Sequence, residues 1–403
     1  MDTTANPDLI TPPQPPGPVA WLRKNLFSNW YNSLLTIVLL VFIYWAVSAI
    51  LRWVFITADW APVVRHPLLY LIGQYPRGQI WRVGLSMAIA AVLFGMSWRV
   101  WGGVMRVMAF SYAAGLLLLA LWPAEGAALT LDMRLVMGVN MLLIGAGFML
   151  GRLNFIRPVS LLAGWTVSLI LTLVLLRGFI GSSLLPVVPT NLWGGLMVTL
   201  LLSVGGITLS FPFGVLLALG RRSSLPVLRI FSILFIEVVR GVPLISILFL
   251  ASLLVPLFLP PEMRIDRLLR ALIGMTVFSA AYMAENVRGG LAAVPNGQEE
   301  AAKAVGLRGY QVTLLIVLPQ ALRAVIPPMV GQFISLFKDT TLAFGIAVLE
   351  LLAVGRSILQ GNPEYFGRQM EVLLFIAAIF WVLSYLMSYA SLRLEAALGV
   401  GER

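Results

Sequence analysis

Cysteine is absent from this chain, and histidine occurs once, as His66. No disulfide, thiol chemistry or Cys-ligated metal can form, and a lone histidine reads as an ordinary polar residue. Charge is scarce as well. Only 11% of the residues are charged, against about a quarter in soluble domains. Lysine occurs three times, at Lys24, Lys303 and Lys338, after Arg23, Ala302 and Phe337. None follows glycine, so the Gly-Lys-Ser/Thr phosphate loop is excluded. A nucleophile–base pair or metal cluster has too few residues to draw on.

What the chain has instead is apolar length. It is 60% hydrophobic, with mean hydropathy +0.93. This is the composition of an integral membrane protein. The net charge of +11 then belongs to helix ends and cytoplasmic loops. No basic run interleaved with aromatics points to nucleic acid.

Ten segments are candidate spans: 31–51, 81–98, 104–122, 133–150, 158–176, 194–219, 227–258, 270–293, 311–335 and 371–392. The seventh is overlong and carries Glu237, Arg240 and Pro243, which predicts a kink. The ninth carries Pro319, Pro327 and Pro328 and should bend. The apolar stretch 340–352 is too short for a full span and reads as a re-entrant or interfacial helix. Residues 1–30 are proline-rich at their start and are expected to be a disordered cytoplasmic segment. The first apolar run, after Arg23 and Lys24, is long enough to span, so an uncleaved first helix is expected. Trp30, Trp53, Trp81 and Trp193 near span ends read as interface anchors.

With the N-terminus inside, loops 99–106, 151–157, 220–229 and 294–310 face the cytoplasm. Their arginines (Arg99, Arg106, Arg152, Arg157, Arg221, Arg222 and Arg229 among them) give a modest positive-inside bias. The expected organisation is an N-terminal extension of about five spans at 31–177, a Pro/Gly linker at 178–193, a five-span core at 194–392 and a cytoplasmic tail at 393–403. No repeat relates the two halves.

The core holds a small polar island: Gln298-Glu299-Glu300-Ala301-Ala302-Lys303-Ala304-Val305-Gly306. Pro295 ends the preceding apolar run. Asn296 is suited to cap a helix, with Glu299 three residues on to reach back to the cap amide. Glu299 and Glu300 sit in the first turn, where the helix dipole favours negative charge. Gly306 suits the left-handed position that closes a helix. A short, capped helix with an Ala-rich face follows, either an ordinary surface helix or a docking element.

Spacing favours docking. Glu300-Ala301-Ala302, Gly306, Ile316 and Leu318-Pro319 form a Glu-Ala-Ala loop that resembles the permease subunits of bacterial ATP-binding-cassette (ABC) importers. Further segments resemble the polar amino acid branch: Ile236-Glu237-Val238-Val239-Arg240-Gly241-Val242-Pro243, Ala281-Tyr282-Met283-Ala284-Glu285-Asn286-Val287-Arg288-Gly289 and Lys338-Asp339-Thr340-Thr341-Leu342. The resemblance covers about half the chain, and the extra N-terminal spans resemble the long permeases of general L-amino acid importers. Where the family core often has asparagine after the Pro-Pro pair, this chain has Gly331.

The resemblance implies an all-α polytopic bundle with a type I importer core, in the bacterial inner membrane. It implies a homologous permease partner in a heterodimer, two ATPase subunits that bind ATP and Mg, and a periplasmic amino acid-binding protein. The island becomes a coupling helix, with Glu299, Glu300, Ala301, Ala302, Gly306, Leu318 and Pro319 carrying that role. The chain itself is then a transport subunit and not an enzyme. Charges inside spans are costly and therefore functional candidates. Glu237 with Arg240, and Glu285 with Arg288, each share a helix face. Two readings stand for these pairs: ion pairs that hold the bundle, or contacts to a zwitterionic substrate. Lys338 and Asp339 likewise read as interfacial snorkelling or as substrate contacts. The alternative function is an ion-gradient-driven amino acid transporter, which needs repeat-related broken helices.

Overall fold

The computed structural model describes residues 17–123, 129–153, 156–258, 260 and 265–399. Among them the fold is helical, and β-pairing is limited to two isolated bridges. Eight helices are long and apolar enough to cross a membrane, or up to ten if each of two bent pairs is one span. The chain separates into two units, residues 1–59 and 60–403.

The first unit holds α1 (Pro18–Asn25) and α2 (Trp30–Arg52), which runs on as a π-helical turn to Thr57. The sequence predicts disorder across 1–30. Residues 1–16 lie outside the described residues, and Pro18–Asn25 is helical. Proline at the first helical position fits there because its missing N–H has no intrahelical partner to lose. Thr36 Oγ1 donates back to the Leu26 carbonyl at 2.8 Å and fixes the turn between the two helices.

The second unit opens with α3 (Ala61–Val64) and α4 (Pro67–Ile72), short helices that each start with proline at N1 or N2. Four long helices follow: α5 (Ile80–Trp101), α6 (Gly103–Ala120), α7 (Leu131–Leu150) and α8 (Pro158–Arg177). Small residues let α5 and α7 approach closely. A Cβ on Gly95 would stand 2.0 Å from the Ile144 carbonyl oxygen, and one on Gly147 2.2 Å from that of Val92. Arg82 of α5 is fully buried, and its Nη1 donates to the Pro186 carbonyl at 2.9 Å. It holds the linker against the end of α8, where carbonyls without intrahelical partners favour a cation.

The core contains α9 (Gly195–Arg221), α10 (Pro226–Arg240), α11 (Leu244–Leu253) and α12 (Arg267–Ala293). Thr190 Oγ1 donates to Asp266 just before α9 and α12 begin, and Arg222 Nη1 donates to the Leu291 carbonyl where they end. Helices α9 and α12 therefore run parallel. Helices α10 and α11 return between them with a bend of 107°. Pro243, the N-cap of α11, accounts for the break: it has no N–H for the helical ladder.

After α12 come α13 (Asn296–Ala304), α14 (Gly309–Gln311), a π-turn at Val312–Val317, α15 (Leu318–Ala324) and α16 (Ile326–Asp339). The ninth span is bent, as its prolines predict, by 61° between α15 and α16. The stretch after α16 is a 3-10 run, Thr340–Ile346, closed by Ala347 in the left-handed region at φ 57°. Then come α17 (Leu351–Gly361) and α18 (Gln369–Leu398). The end of the bundle that carries α13 is called the inner end here, and the opposite end the outer end.

Trp193 corrects an expectation. Its place at a span end predicts an interface anchor, yet it is buried in a core cluster with Tyr75, Val198 and Leu244. Trp30 and Trp81 are exposed, as an anchor requires. Position in the chain cannot separate the two cases, because a tryptophan at a span end faces lipid or protein according to packing.

Candidate functional site

Two features stand at or near the inner end: the polar helix α13 and a cluster of charges on α9, α10 and α12.

Helix α13 starts differently from the sequence expectation. Pro295 is the N-cap, Asn296 is the first helical residue, and no side chain caps the amides. The expected reach of Glu299 back to the cap is not made. Glu299 Oε1 instead accepts from Lys303 Nζ at 2.8 Å, one turn on. That hydrogen bond holds the Glu299 carboxyl below the ordinary glutamate range. Pro295 at φ −60° and ψ 137° already turns the chain into the helix, which removes the cap position from Asn296.

The closure agrees with the reading of Gly306, which sits at φ 86°. Its N–H donates to the Lys303 carbonyl at 3.0 Å, and the Leu307 N–H to that of Ala302 at 3.2 Å. This pair of bonds is a Schellman closure. Ala302 is the one buried residue of α13 and packs with Leu291, Val312, Val317 and Ala321. Glu300, Ala301, Ala304 and Val305 are exposed. The helix is thus held by one small side chain and presents an open face of short residues. Leu318 packs into the same cluster, and Pro319 enters α15 at its second position. Of the Gly289-Gly290 pair, Gly290 permits close approach: a Cβ there would stand 2.6 Å from the Ala321 carbonyl oxygen.

The charged cluster centres on Glu285 of α12. Its Oε1 accepts from Arg288 Nε at 2.8 Å and also from Nη2. Its Oε2 lies 3.6 Å from both Arg221 Nη1 of α9 and Arg240 Nη1 of α10. Glu237 of α10 pairs with Arg221 at 3.0 Å. The Arg240 guanidinium also lies 5.4 Å from the centroid of the Tyr282 ring. So Glu285 and Arg288 pair as their spacing predicts, whereas Glu237 and Arg240 each turn to another helix. Three arginines and two glutamates leave one net positive charge. Glu285 precedes the end of α12 by eight residues, or about 12 Å along the helix.

By sequence Arg221 is a loop cation, and no local signal places it in this cluster. A charge one residue from a span end is ambiguous until the neighbouring helix is placed. Lys338 and Asp339 are not part of the cluster. They close α16, whose continuation leads to the outer end, where the Leu349 carbonyl accepts from the Gly195 N–H at 2.9 Å.

Known proteins resemble this chain over part or all of its length. Residues 210–399 match the family model described as binding-protein-dependent transport system inner membrane component. The chain is 34% identical to the inner membrane amino-acid ABC transporter permease protein YhdY of Escherichia coli (strain K12), over 98% of each chain. It is 35% identical to the glutamate/glutamine/aspartate/asparagine transport system permease protein BztC of Rhodobacter capsulatus, over 95% of this chain and 94% of the other. A solved amino acid ABC transporter, crystallised with histidines, covers 50% of this chain and 92% of its own at 29% identity and a TM-score of 0.45. Full-length similarity at this identity, with the family match over the core, shows that the chain belongs to the multi-pass inner membrane permeases of binding-protein-dependent ABC importers.

Proposed function

We propose that this subunit imports L-amino acids, powered by ATP hydrolysis on separate ATPase chains. The observation that carries the reading is α13: a short polar helix, anchored by Ala302 alone, with an open face between two spanning segments. Such a helix has no use for lipid and suits a shallow groove on a water-soluble partner. Glu299, Glu300, Ala301, Ala302 and Gly306 form the coupling element, and Leu318 and Pro319 tie it to α15. The two full-length relatives bear amino acid transport names, which supports the substrate class.

In this reading the inner end faces the cytoplasm. A periplasmic binding protein delivers the amino acid to the outer end of a heterodimer made with a homologous permease. Two ATPase subunits, with ATP and Mg, push the coupling helices and reorient the spans. The cluster of Glu237, Arg240, Glu285 and Arg288, completed by Arg221, lies at the inner end of the pathway. Its mutual pairing favours a role as a salt-bridged joint of α9, α10 and α12. Lys338 and Asp339 are pathway candidates toward the outer end. The ion-gradient alternative draws no support from the relatives.

The test is uptake by vesicles holding the assembled complex. ATP together with the binding protein should drive uptake, and ionophores should leave it intact. Uptake that follows a proton gradient without ATP would reject the proposal. Competition among the twenty amino acids then defines the substrate range.

A further inference from the structure

The N-terminal extension meets the permease core at the outer end through backbone contacts. The turn after α4 reaches φ 66° at Gly73, and a Cβ there would stand 2.5 Å from the Gly194 Cα. The Gly194 N–H donates to the Ile72 carbonyl at 3.2 Å, and the Gly195 N–H to the Leu349 carbonyl at 2.9 Å. Gly195 lies at φ 63°, and a Cβ on it would stand 2.2 Å from the Tyr70 carbonyl oxygen. Three segments thus cross within backbone distance: the end of α4, the start of α9 and the strand-like entry to α17.

Side chains close the same joint. Glu350, fully buried, accepts from the Leu352 and Ala353 amides at 2.8 and 2.7 Å and caps α17. The Leu351 N–H donates to Thr199 Oγ1 of α9 at 3.1 Å. Further along the seam, His66 Nε2 and the Tyr365 hydroxyl are 3.1 Å apart, and Arg65 pairs with Glu364 at 3.9 Å. Trp122 Nε1 donates to the Val64 carbonyl at 3.0 Å while its ring packs on Phe375 of α18.

The 107° bend between α10 and α11 and the 61° bend between α15 and α16 take no part in these contacts, whereas the 3-10 run Thr340–Ile346 leads through Ala347 into the joint at Leu349. Interrupted helices are where hinge rotation concentrates. From this division we infer that the extension is a strut, which holds the outer ends of α9 and α17 as one body. The outer opening during transport is made by the broken helices around them. Gly73, Gly194, Gly195 and Glu350 are its positioning residues. The role rests on the transport reading, but the joint's rigidity can be measured separately.

This chain has no cysteine of its own, so a bifunctional thiol reagent can link it internally only at introduced sites, and the link is read on this chain after the complex is taken apart. Arg65→Cys and Glu364→Cys put a reactive pair across the exposed seam. In the complete complex, cross-linking should proceed at equal rates without nucleotide and with the ATP-bound state trapped, a ratio near one. The linked complex should still take up labelled L-amino acids with ATP and binding protein. A strongly state-dependent cross-linking rate would overturn the strut. So would arrest on linking of uptake that the unlinked double variant supports. If the complex with the unsubstituted chain shows no ATP-driven uptake at all, the transport reading fails, while equal cross-linking rates in the double variant would still establish the rigid joint.

Discussion

Arg221, the last residue of α9, reaches Glu285 in the inner third of α12, with Nη1 3.6 Å from Oε2. The two residues are 64 positions apart, and both are about a quarter exposed. The contact ties two parallel helices at one depth, and Arg240 ties α10 to the same carboxylate.

Removing either partner should therefore loosen the inner end. Arg221→Ala leaves Glu285 with less compensation and should cost about 1–2 kcal/mol, between an exposed pair and a buried one. Arg221→Lys keeps the charge and should recover part of the loss. Thermal unfolding of the detergent-solubilised chain measures both. A double-mutant cycle with Glu285→Gln should show coupling; strictly additive effects would remove Arg221 from the joint.

Coupling should separate from folding at Gly306. Space around it is open, so Gly306→Val meets no clash, but the left-handed φ of 86° costs a side chain about 1–2 kcal/mol. The end of α13 should unwind while membrane insertion continues. Glu300→Lys alters only the exposed face. Both variants should lose ATPase capture, or hydrolyse ATP without uptake. Normal capture and uptake in both would reject the coupling role.

The α5–α7 contact offers a stability test away from the core. Gly147→Leu drives a side chain into the Val92 backbone, and overpacking of this kind costs about 1–3 kcal/mol. Gly145→Leu is the control, because nothing lies within 4 Å of its Cβ position. The midpoint of thermal unfolding should fall for Gly147→Leu and hold for Gly145→Leu. Equal behaviour would mean that the helices do not pack at Gly147.

Glu350 predicts a pH dependence. Burial pushes its carboxyl up to about 7, against the downward pull of the Leu352 and Ala353 amides and of the Arg356 charge. The folded state therefore holds a proton that the unfolded chain has released between about pH 4.5 and pH 7. Stability from this group is full below that window and falls as pH rises through it. Glu350→Gln should flatten the fall between pH 5 and pH 8, read as the shift in unfolding midpoint. An unchanged profile would show that the carboxyl titrates elsewhere.

Much of this was legible without coordinates. Long apolar runs place spans because a bilayer leaves backbone groups no other partner, and Pro243 and the prolines near Val325 mark bends because each removes an amide from the ladder. Gly306 was legible because few residues other than glycine adopt its φ. The start of α13 was not, since Pro295 and Asn296 compete for one cap position and only the backbone path decides. Trp193 was misread because a span end does not say whether lipid or protein lies beside it.

Sequence alone determined that the chain lives in a membrane, that it lacks a phosphate loop of its own, and that a polar island interrupts its second half. These follow from composition and local spacing, which act within a few residues. Tertiary structure decided which charges meet, that Arg221 completes the Glu285 cluster, and that Gly73, Gly194 and Gly195 bring the two halves within backbone reach. Those contacts join residues far apart in the chain, where no periodicity reports a neighbour, and only the packing of whole helices sets the distance.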